Sequence, residues 1–159
     1  MTKEELGSLI IASEDQLYRV AKSILYDDSD CADAIQETIV KAFAKLHTLR
    51  QDAYAKTWLI RILTNECYQI LRKSRNLVSI DAIGETGAEE QPDYTELYKA
   101  VSMLPEDMRV AVVLYYVEGF QVEEIAQIED ITESAVKNRL YKARMKLREW
   151  LGEQEGMTI

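Results

Sequence analysis

The amino-acid sequence predicts an all-α protein in which two small helical domains are joined by a flexible acidic linker. Apolar residues recur at helical spacings of three, four and seven along most of the 159-residue chain. Only two prolines and six glycines occur, so few positions oppose helix formation. Residues 77–93 contain two of those glycines, one proline and five acidic residues, which together interrupt the helical pattern. The predicted domains therefore span 1–76 and 94–151, and residues 152–159 form a tail.

The first domain contains at least three predicted helices. The first apolar pattern runs from Leu9 to Leu25, and the aspartate-rich segment 27–30 then offers N-caps for the next helix. That second helix spans about 32–49, and the third begins near Tyr54 and ends in the basic residues of segment 72–75. The apolar face predicted for the second helix comprises Ala32, Ile35, Ile39, Ala42, Phe43 and Leu46.

The second domain is predicted to contain four helices. The first spans about 94–103, and Pro105 suits the first position of the next helix, where its missing N–H costs nothing. Gly119 suits the end of that helix. Its predicted buried side comprises Ala111, Val112, Leu114, Tyr115 and Val117. A short third helix ends at about Ile128, and Thr132 is a good N-cap for the last helix, which runs to the end of the domain.

The net charge of −9 at first argues against nucleic-acid binding, because contacts to phosphates need lysine and arginine. The distribution of charge is more informative than its sum. Two basic segments lie in an otherwise acidic chain: segment 56–76 has Glu66 as its only acid, and segment 133–148 has Glu133. Their basic residues are Lys56, Arg61, Arg72, Lys73 and Arg75 in the first segment, and Lys137, Arg139, Lys142, Arg144, Lys146 and Arg148 in the second. This separation predicts two surfaces for nucleic acid.

Residues 121–147 have the form of a helix-turn-helix. Small Ala126 suits the close crossing of the two helices, and Ile131 in the turn can fill the corner. Asp130 stands where such turns often have glycine, and aspartate tolerates a left-handed backbone better than most residues. One face of the last helix holds Val136, Leu140, Ala143, Leu147 and Trp150, and the other holds Ser134, Lys137, Asn138, Tyr141 and Arg144. The second set can read base edges and bind phosphates in the major groove, and a solvated basic face is the plain alternative.

The other basic segment also carries aromatic residues, Tyr54, Trp58 and Tyr68. This combination suits single-stranded or melted DNA, in which bases stack on rings and the backbone follows positive charge. The alternative is that the rings belong to the core, and we favour it for Trp58, which lies beside Leu59. Asn65 is a polar residue in the middle of the helix, and we expect it to face the ligand.

The sequence offers no enzyme site that we can recognise. It has no phosphate-binding loop and no nucleophile beside a base. The cysteines Cys31 and Cys67 and the histidine His47 do not form a zinc motif. We therefore expect no cofactor and no metal, and two reduced, partly buried thiols. Without an apolar stretch of about 20 residues or a signal peptide, the chain is predicted to be cytoplasmic.

These segments together resemble the extracytoplasmic-function (group IV) sigma factors over about residues 8–151. The C-terminal half is similar to their region 4 at residues 104–106, 116–120, 124–126 and 135–148. The N-terminal half is similar to their region 2 at residues 33–38, 41–43, 57–65 and 71–73. Two independent motifs in the family's order, on either side of a linker, make the resemblance specific.

The resemblance implies a transcription initiation factor that binds core RNA polymerase, recognises the −10 and −35 promoter elements and catalyses no reaction. The residues that would contact the clamp helices of the polymerase's largest subunit are Asp33, Gln36, Glu37 and Lys41. Those that would read and melt the −10 element are Lys56, Arg61, Asn65, Gln69, Arg72 and Lys73. Those that would read the −35 element are Ser134, Lys137, Asn138, Tyr141, Lys142 and Arg144. The flap of the second-largest subunit is a further implied partner, and the linker would run toward the active-site channel.

The resemblance also implies regulation, because such factors are usually held inactive by a cognate anti-sigma factor, which is often membrane-bound. The free protein is expected to be a monomer. Gln69 stands where many members have aspartate, and Thr64 where alanine or arginine is common, so the family's promoter sequence is not carried over. Two alternatives are a dimeric helix-turn-helix regulator that acts without polymerase and a protein that mimics region 2 for another partner. A stable dimer would favour the first, and the complete helix-turn-helix argues against the second.

Overall fold

The computed structural model describes residues 1–77 and 95–152, and the regular elements of these residues are all helices. The predicted all-α fold is confirmed, and the described helices divide between two compact units. The first unit contains α1 (Lys3–Ala12), α2 (Glu14–Ile24), α3 (Asp28–Ala44) and α4 (Ala55–Leu77). The second contains α5 (Thr95–Met103), α6 (Glu106–Val112), most of α7 (Val122–Glu129) and α8 (Glu133–Leu151). The predicted linker lies outside the described residues except for Leu77, which ends α4, and so does the tail after Gly152.

The first apolar pattern of the sequence forms two helices, α1 and α2, which meet at Ser13. The Ser13 N–H donates to the Ile10 carbonyl at 3.1 Å, and the Ser13 carbonyl accepts from the Leu17 N–H at 2.8 Å. Ser13 is therefore both the C-cap of α1 and the N-cap of α2. Both helices contribute to the core, where Leu6 and Leu17 are fully buried.

Helix α3 buries a different face from the one that the sequence predicted. Its buried residues are Cys31, Ala34, Thr38 and Ala42, whereas Ala32 and Phe43 are exposed and Ile35 and Ile39 are half-buried. The helix packs on both α2 and α4, and small side chains at that contact let the backbones approach closely. Larger apolar residues are left nearer the solvent. The helix also ends at Ala44, earlier than predicted, and a short 3₁₀ turn, Leu46–Thr48, follows it.

Helix α4 is held against α3 by apolar packing and by one ion pair. Leu59, Ile60 and Leu63 are fully buried in the first unit. The carboxylate of Glu66, also buried, accepts a hydrogen bond from the Lys41 ammonium of α3. The helix that carries one basic segment is thus fixed in rotation relative to its neighbour.

The second unit departs from the prediction around α6. Pro105 occupies the N-cap, with φ −51° and ψ 146°, and is not the first helical residue. After α6 the chain widens into a π-helical turn, Val113–Val117, and stops at Gly119, whose φ of +75° suits glycine. Leu114 is buried as predicted, but Tyr115 and Val117 are exposed. The wider turn changes the angular step between residues, so the face predicted for a regular α-helix is not maintained.

Candidate nucleic-acid interface

The turn between α7 and α8 sets where α8 begins. Asp130 has a left-handed backbone, with φ 56° and ψ 49°, as the sequence led us to expect. The Ile131 N–H donates to the Ala126 carbonyl at 3.0 Å and closes the end of α7. Thr132 then caps α8 as predicted, because its Oγ1 accepts the Ala135 N–H at 3.1 Å. The turn and the N-cap predicted for the helix-turn-helix are confirmed.

Helix α8 separates its apolar and polar residues onto opposite faces. The apolar face is buried through Val136, Leu140, Ala143 and Leu147, and Trp150 is half-buried at its end. Five of the six predicted DNA-reading side chains are exposed, namely Ser134, Lys137, Asn138, Tyr141 and Lys142. Their spacing follows the helical period, so one surface of about two turns presents hydroxyl, amide, phenol and ammonium groups to solvent.

Arg144, the sixth residue of this set, is half-buried. Its Nη1 donates a hydrogen bond to Oη of Tyr116 at 3.0 Å. Tyr116 lies in the π-helical turn, 28 residues earlier in the chain, so sequence reasoning did not connect the two. Tyr115 was predicted to be buried and is exposed, and the sequence analysis gave Tyr116 no contact, so it held no sign of this pair.

A second exposed stripe follows α4. All six residues predicted to contact the −10 element are exposed, namely Lys56, Arg61, Asn65, Gln69, Arg72 and Lys73. Steps of four connect Arg61, Asn65 and Gln69, which places them one above another on the helix. Thr64 is fully buried instead, and its hydroxyl donates to the Arg61 carbonyl at 3.0 Å. Thr64 can thus influence this surface only through the packing of α4.

The three aromatic residues near this stripe differ in exposure. Tyr54 is exposed, whereas Trp58 and Tyr68 are half-buried. Trp58 is thus neither fully buried nor fully exposed. Its exposure lies between that of a core ring and that of a ring free to stack on bases.

A third surface lies on the solvent side of α3. The predicted polymerase-contacting residues Asp33, Gln36 and Glu37 are exposed there, whereas the ammonium of Lys41 is engaged by Glu66. Exposed Val40 lies on the same side of the helix, four residues after Gln36 and three after Glu37. The sequence analysis did not select Val40, although a valine outside the predicted apolar stripe was a usable signal.

An open apolar groove lies in the same unit between α1, α2 and α3. Its floor includes Ile10, Leu17, Ile35 and Ile39, and Glu14 and Gln36 lie among its lining residues. The half-exposed isoleucines of α3 therefore contribute to a concave surface rather than to the core.

Cys31 and Cys67 are both buried and reduced, and burial raises the pKa of the Cys31 thiol to about 11. Over residues 1–77 and 95–152, histidine, cysteine and carboxylate side chains do not gather in groups of three that could hold a metal ion. Among those same residues, every helix is too short or too polar to cross a membrane.

Comparison with known proteins gives matches to two family models, sigma-70 region 2 at residues 9–77 and sigma-70 region 4 at residues 94–147. The RNA polymerase sigma factor SigV of Bacillus subtilis is 31% identical over 97% of this chain and 95% of its own length. The ECF RNA polymerase sigma-E factor of Salmonella typhimurium is 30% identical over 72% of this chain and 70% of its own.

Two solved structures have a similar fold. The sigma factor RpoE, in complex with the anti-sigma factor NepR from Bartonella quintana, superposes with a TM-score of 0.74 at 29% identity, covering 96% of this chain and 98% of that one. CnrH, in complex with the cytosolic domain of CnrY, gives a TM-score of 0.70 at 22% identity and covers 97% and 92% of the two chains.

Proposed function

We infer the function of this chain from its family, because it belongs to the extracytoplasmic-function sigma factors of bacterial RNA polymerase. It is a transcription initiation factor that binds core RNA polymerase and directs it to specific promoters. We further propose that it acts in the cytoplasm and catalyses no reaction itself. The observation that carries the proposal is the presence of two separate exposed polar helix faces, on α4 and α8, in an acidic protein.

We assign recognition of the −35 element to the exposed face of α8. Lysine pairs with guanine, asparagine with adenine and serine with several base edges in the major groove, and these residue types occur there. Because Lys137 and Asn138 lie in the first two turns of α8, they are placed as base-reading residues of a helix-turn-helix usually are. The remaining cationic residues, Lys142 and Arg144, would contact phosphates.

The exposed stripe of α4 would bind the −10 element as single strands. Its amide side chains, Asn65 and Gln69, can hydrogen-bond to unpaired bases, while Arg61, Arg72 and Lys73 follow the phosphate backbone. Exposed Tyr54 supplies a ring for stacking near the start of the same helix.

Core polymerase would bind the solvent side of α3. Asp33, Gln36 and Glu37 provide polar contacts, and exposed Val40 provides apolar area beside them. Lys41 belongs to this proposed surface too, with part of its hydrogen-bonding capacity used by Glu66. An interface with an apolar centre and a polar rim fits this composition.

The net charge of −9 opposes DNA binding by the free chain, so we expect the chain to need polymerase for promoter binding. An acidic chain gains little from nonspecific attraction to DNA, so each DNA-binding surface alone would be weak. Bound to polymerase, the two surfaces are tethered, and the second contact becomes effectively intramolecular. We therefore expect weak promoter binding by the free chain and tight binding by the holoenzyme. Tight, specific gel-shift binding by the free chain would contradict this.

Regulation by an anti-sigma factor is the third part of the proposal. The similar RpoE of Bartonella quintana is found in complex with the anti-sigma factor NepR. For this chain we propose an inhibitor that covers its polymerase-binding or DNA-binding surfaces, and a membrane-bound inhibitor would hold the factor at the membrane. Coexpression with a candidate inhibitor should yield a soluble complex that no longer binds core polymerase.

Run-off transcription with core polymerase on genomic templates from the source bacterium tests the function directly. We expect defined transcripts only when both core enzyme and this chain are present. Failure of the chain to bind core polymerase would overturn the main proposal. A stable dimer that binds duplex DNA without polymerase would instead support an ordinary helix-turn-helix regulator.

Substitutions on α8 separate promoter reading from polymerase binding. Lys137→Ala and Asn138→Ala should each weaken holoenzyme binding to the −35 element by about 1–3 kcal/mol and leave core affinity unchanged. Lys99→Ala, at an exposed lysine of α5, is the matched control and should change neither affinity. Equal losses in DNA and core binding would show that the assignment of α8 is wrong.

A further inference from the structure

The contact between Arg144 and Tyr116 joins α8 to the π-helical turn that precedes the helix-turn-helix. Nη1 of Arg144 donates to Oη of Tyr116 at 3.0 Å. The Tyr116 side chain is 52% exposed and Arg144 is half-buried, so the hydroxyl lies at the protein surface. Arg144 is spaced seven residues from Lys137 and three from Tyr141, which places it along the exposed side of α8.

The backbone around Tyr116 is well fixed. Two backbone hydrogen bonds close the π-helical turn. The Glu118 N–H donates to the Val113 carbonyl at 2.9 Å, and the Phe120 N–H donates to the Leu114 carbonyl at 3.0 Å. The ring of Tyr116 meets that of Tyr115 edge-on, with 4.8 Å between centroids. A side chain held in this way can orient the flexible arginine that bonds to it.

The chemistry of the pair suits an anion. Arg144 uses one N–H donor for Tyr116 and retains others of its five. The Tyr116 oxygen accepts that bond, and its own O–H remains able to donate. Because a donor that also accepts a hydrogen bond is polarised, the tyrosine hydroxyl becomes a stronger donor beside the guanidinium. A phosphate oxygen could accept from both groups.

We propose that Tyr116 and Arg144 together form a binding site for a phosphate of the DNA backbone, which fixes the register of α8 in the major groove. This inference rests on the proposed function of α8 in promoter recognition. Phosphate contacts position a protein on DNA and base contacts specify sequence. Tyr116 is thus a positioning residue that acts with the recognition helix from outside the helix-turn-helix.

Holoenzyme affinity for promoter duplexes, measured over a range of salt concentrations, tests the site. Tyr116→Phe removes only the hydroxyl and should weaken binding about fivefold, equally on duplexes with the preferred and with altered −35 sequences. Arg144→Gln should weaken binding and lower the salt slope by about 0.9. Because the two groups act as one site, the double variant should bind no more weakly than Arg144→Gln alone. Tyr115→Phe is the matched control and should bind like the wild type.

The outcomes distinguish this site from the proposed function itself. If Lys137→Ala weakens −35 binding but Tyr116→Phe does not, the phosphate site is refuted and the function of α8 stands. Strictly additive losses for the two substitutions would also refute a joint site. If Tyr116→Phe lowers affinity for core polymerase instead of DNA, the pair serves a protein contact and the proposal fails. If Lys137→Ala and Asn138→Ala have no effect on DNA binding, the proposed function of α8 fails first.

Discussion

Replacing Lys41 by methionine should destabilise the first unit, because it leaves a buried carboxylate without its partner. The side chain of Glu66 is 8% exposed and that of Lys41 is 32% exposed. The hydrogen bond that Lys41 donates to Glu66 also raises the pKa of Lys41. Methionine keeps most of the apolar stem of lysine and removes the ammonium group, with its charge and its hydrogen bond to Glu66. The change therefore tests the ion pair rather than the packing.

The size of the effect follows from the exposure of the two groups. Breaking a fully buried pair costs about 3–5 kcal/mol, and an exposed pair contributes about 0–1 kcal/mol. With one partner buried and the other one-third exposed, we expect a loss of about 2 kcal/mol at pH 7. For a unit of this size, that corresponds to a fall of about 8–16 °C in the unfolding midpoint.

Intrinsic fluorescence can report the first unit by itself, since the tryptophans are Trp58 in α4 and Trp150 in α8. In a Trp150→Phe background, urea unfolding followed at Trp58 gives the free energy of unfolding for that unit. Lys45→Met, at an exposed lysine just after α3, is the control and should change it by less than about 0.5 kcal/mol. An equal effect of Lys41→Met and Lys45→Met would refute the reasoning.

The pH dependence of the free energy of unfolding provides a second check that the Lys41–Glu66 ion pair is stabilising. In the wild type the raised pKa of Lys41 stabilises the fold at every pH below its unfolded value of about 10.4, and this contribution is lost as the pH rises through the folded pKa. The Lys41→Met variant lacks this contribution, so the difference in stability between the two proteins should shrink as the pH rises through the folded pKa of Lys41. A second substitution, Glu66→Leu, should restore most of the lost stability.

Three further predictions concern buried groups and the turn. Gln16 is 8% exposed and its Oε1 accepts no hydrogen bond from the described residues, so Gln16→Leu should raise the free energy of unfolding in urea by about 1 kcal/mol; a decrease would mean that the oxygen is satisfied. Burial raises the pKa values of Cys31 and Cys67, so a thiol reagent at pH 8 should modify the native chain only as fast as it opens, and instant labelling would contradict this. Asp130→Val should lower the stability of the second unit by about 1–2 kcal/mol more than Asp130→Gly does, because glycine adopts a left-handed backbone without strain. Equal effects of the two substitutions would rule out backbone strain.

The sequence was sufficient for the features that depend on helical period. Most of the helices, the N-cap at Thr132 and the exposed faces of α4 and α8 follow from local patterns, whereas the division of α1 from α2 does not. The exposed residues of the candidate site were identified for the same reason, since a buried stripe fixes which side of a helix faces solvent.

The features that the sequence did not reveal depend on tertiary packing. Helix α3 has apolar residues on more than one side, and periodicity cannot say which side packs closely against two neighbours. The side that packs against them carries the smaller side chains, such as Ala34, whereas Ile35 is only half-buried. The pairs Lys41–Glu66 and Tyr116–Arg144 join residues 25 and 28 positions apart, and no local pattern connects them. The π-helical turn likewise cannot be recognised from an α-helical period.

The small-residue face of α3 has a consequence for how this protein can evolve. Ala34, Thr38 and Ala42 are constrained by size, because any larger side chain would push α3 away from α2 and α4. The outward positions, among them Gln36 and Val40, are free of that constraint. The inner face of α3 therefore maintains the packing of the first unit, while its outer face is available for binding. Substitutions on the outer face can change binding specificity without changing the fold. A deep mutational scan of α3 scored only for stability should show this division as alternating intolerant and permissive positions.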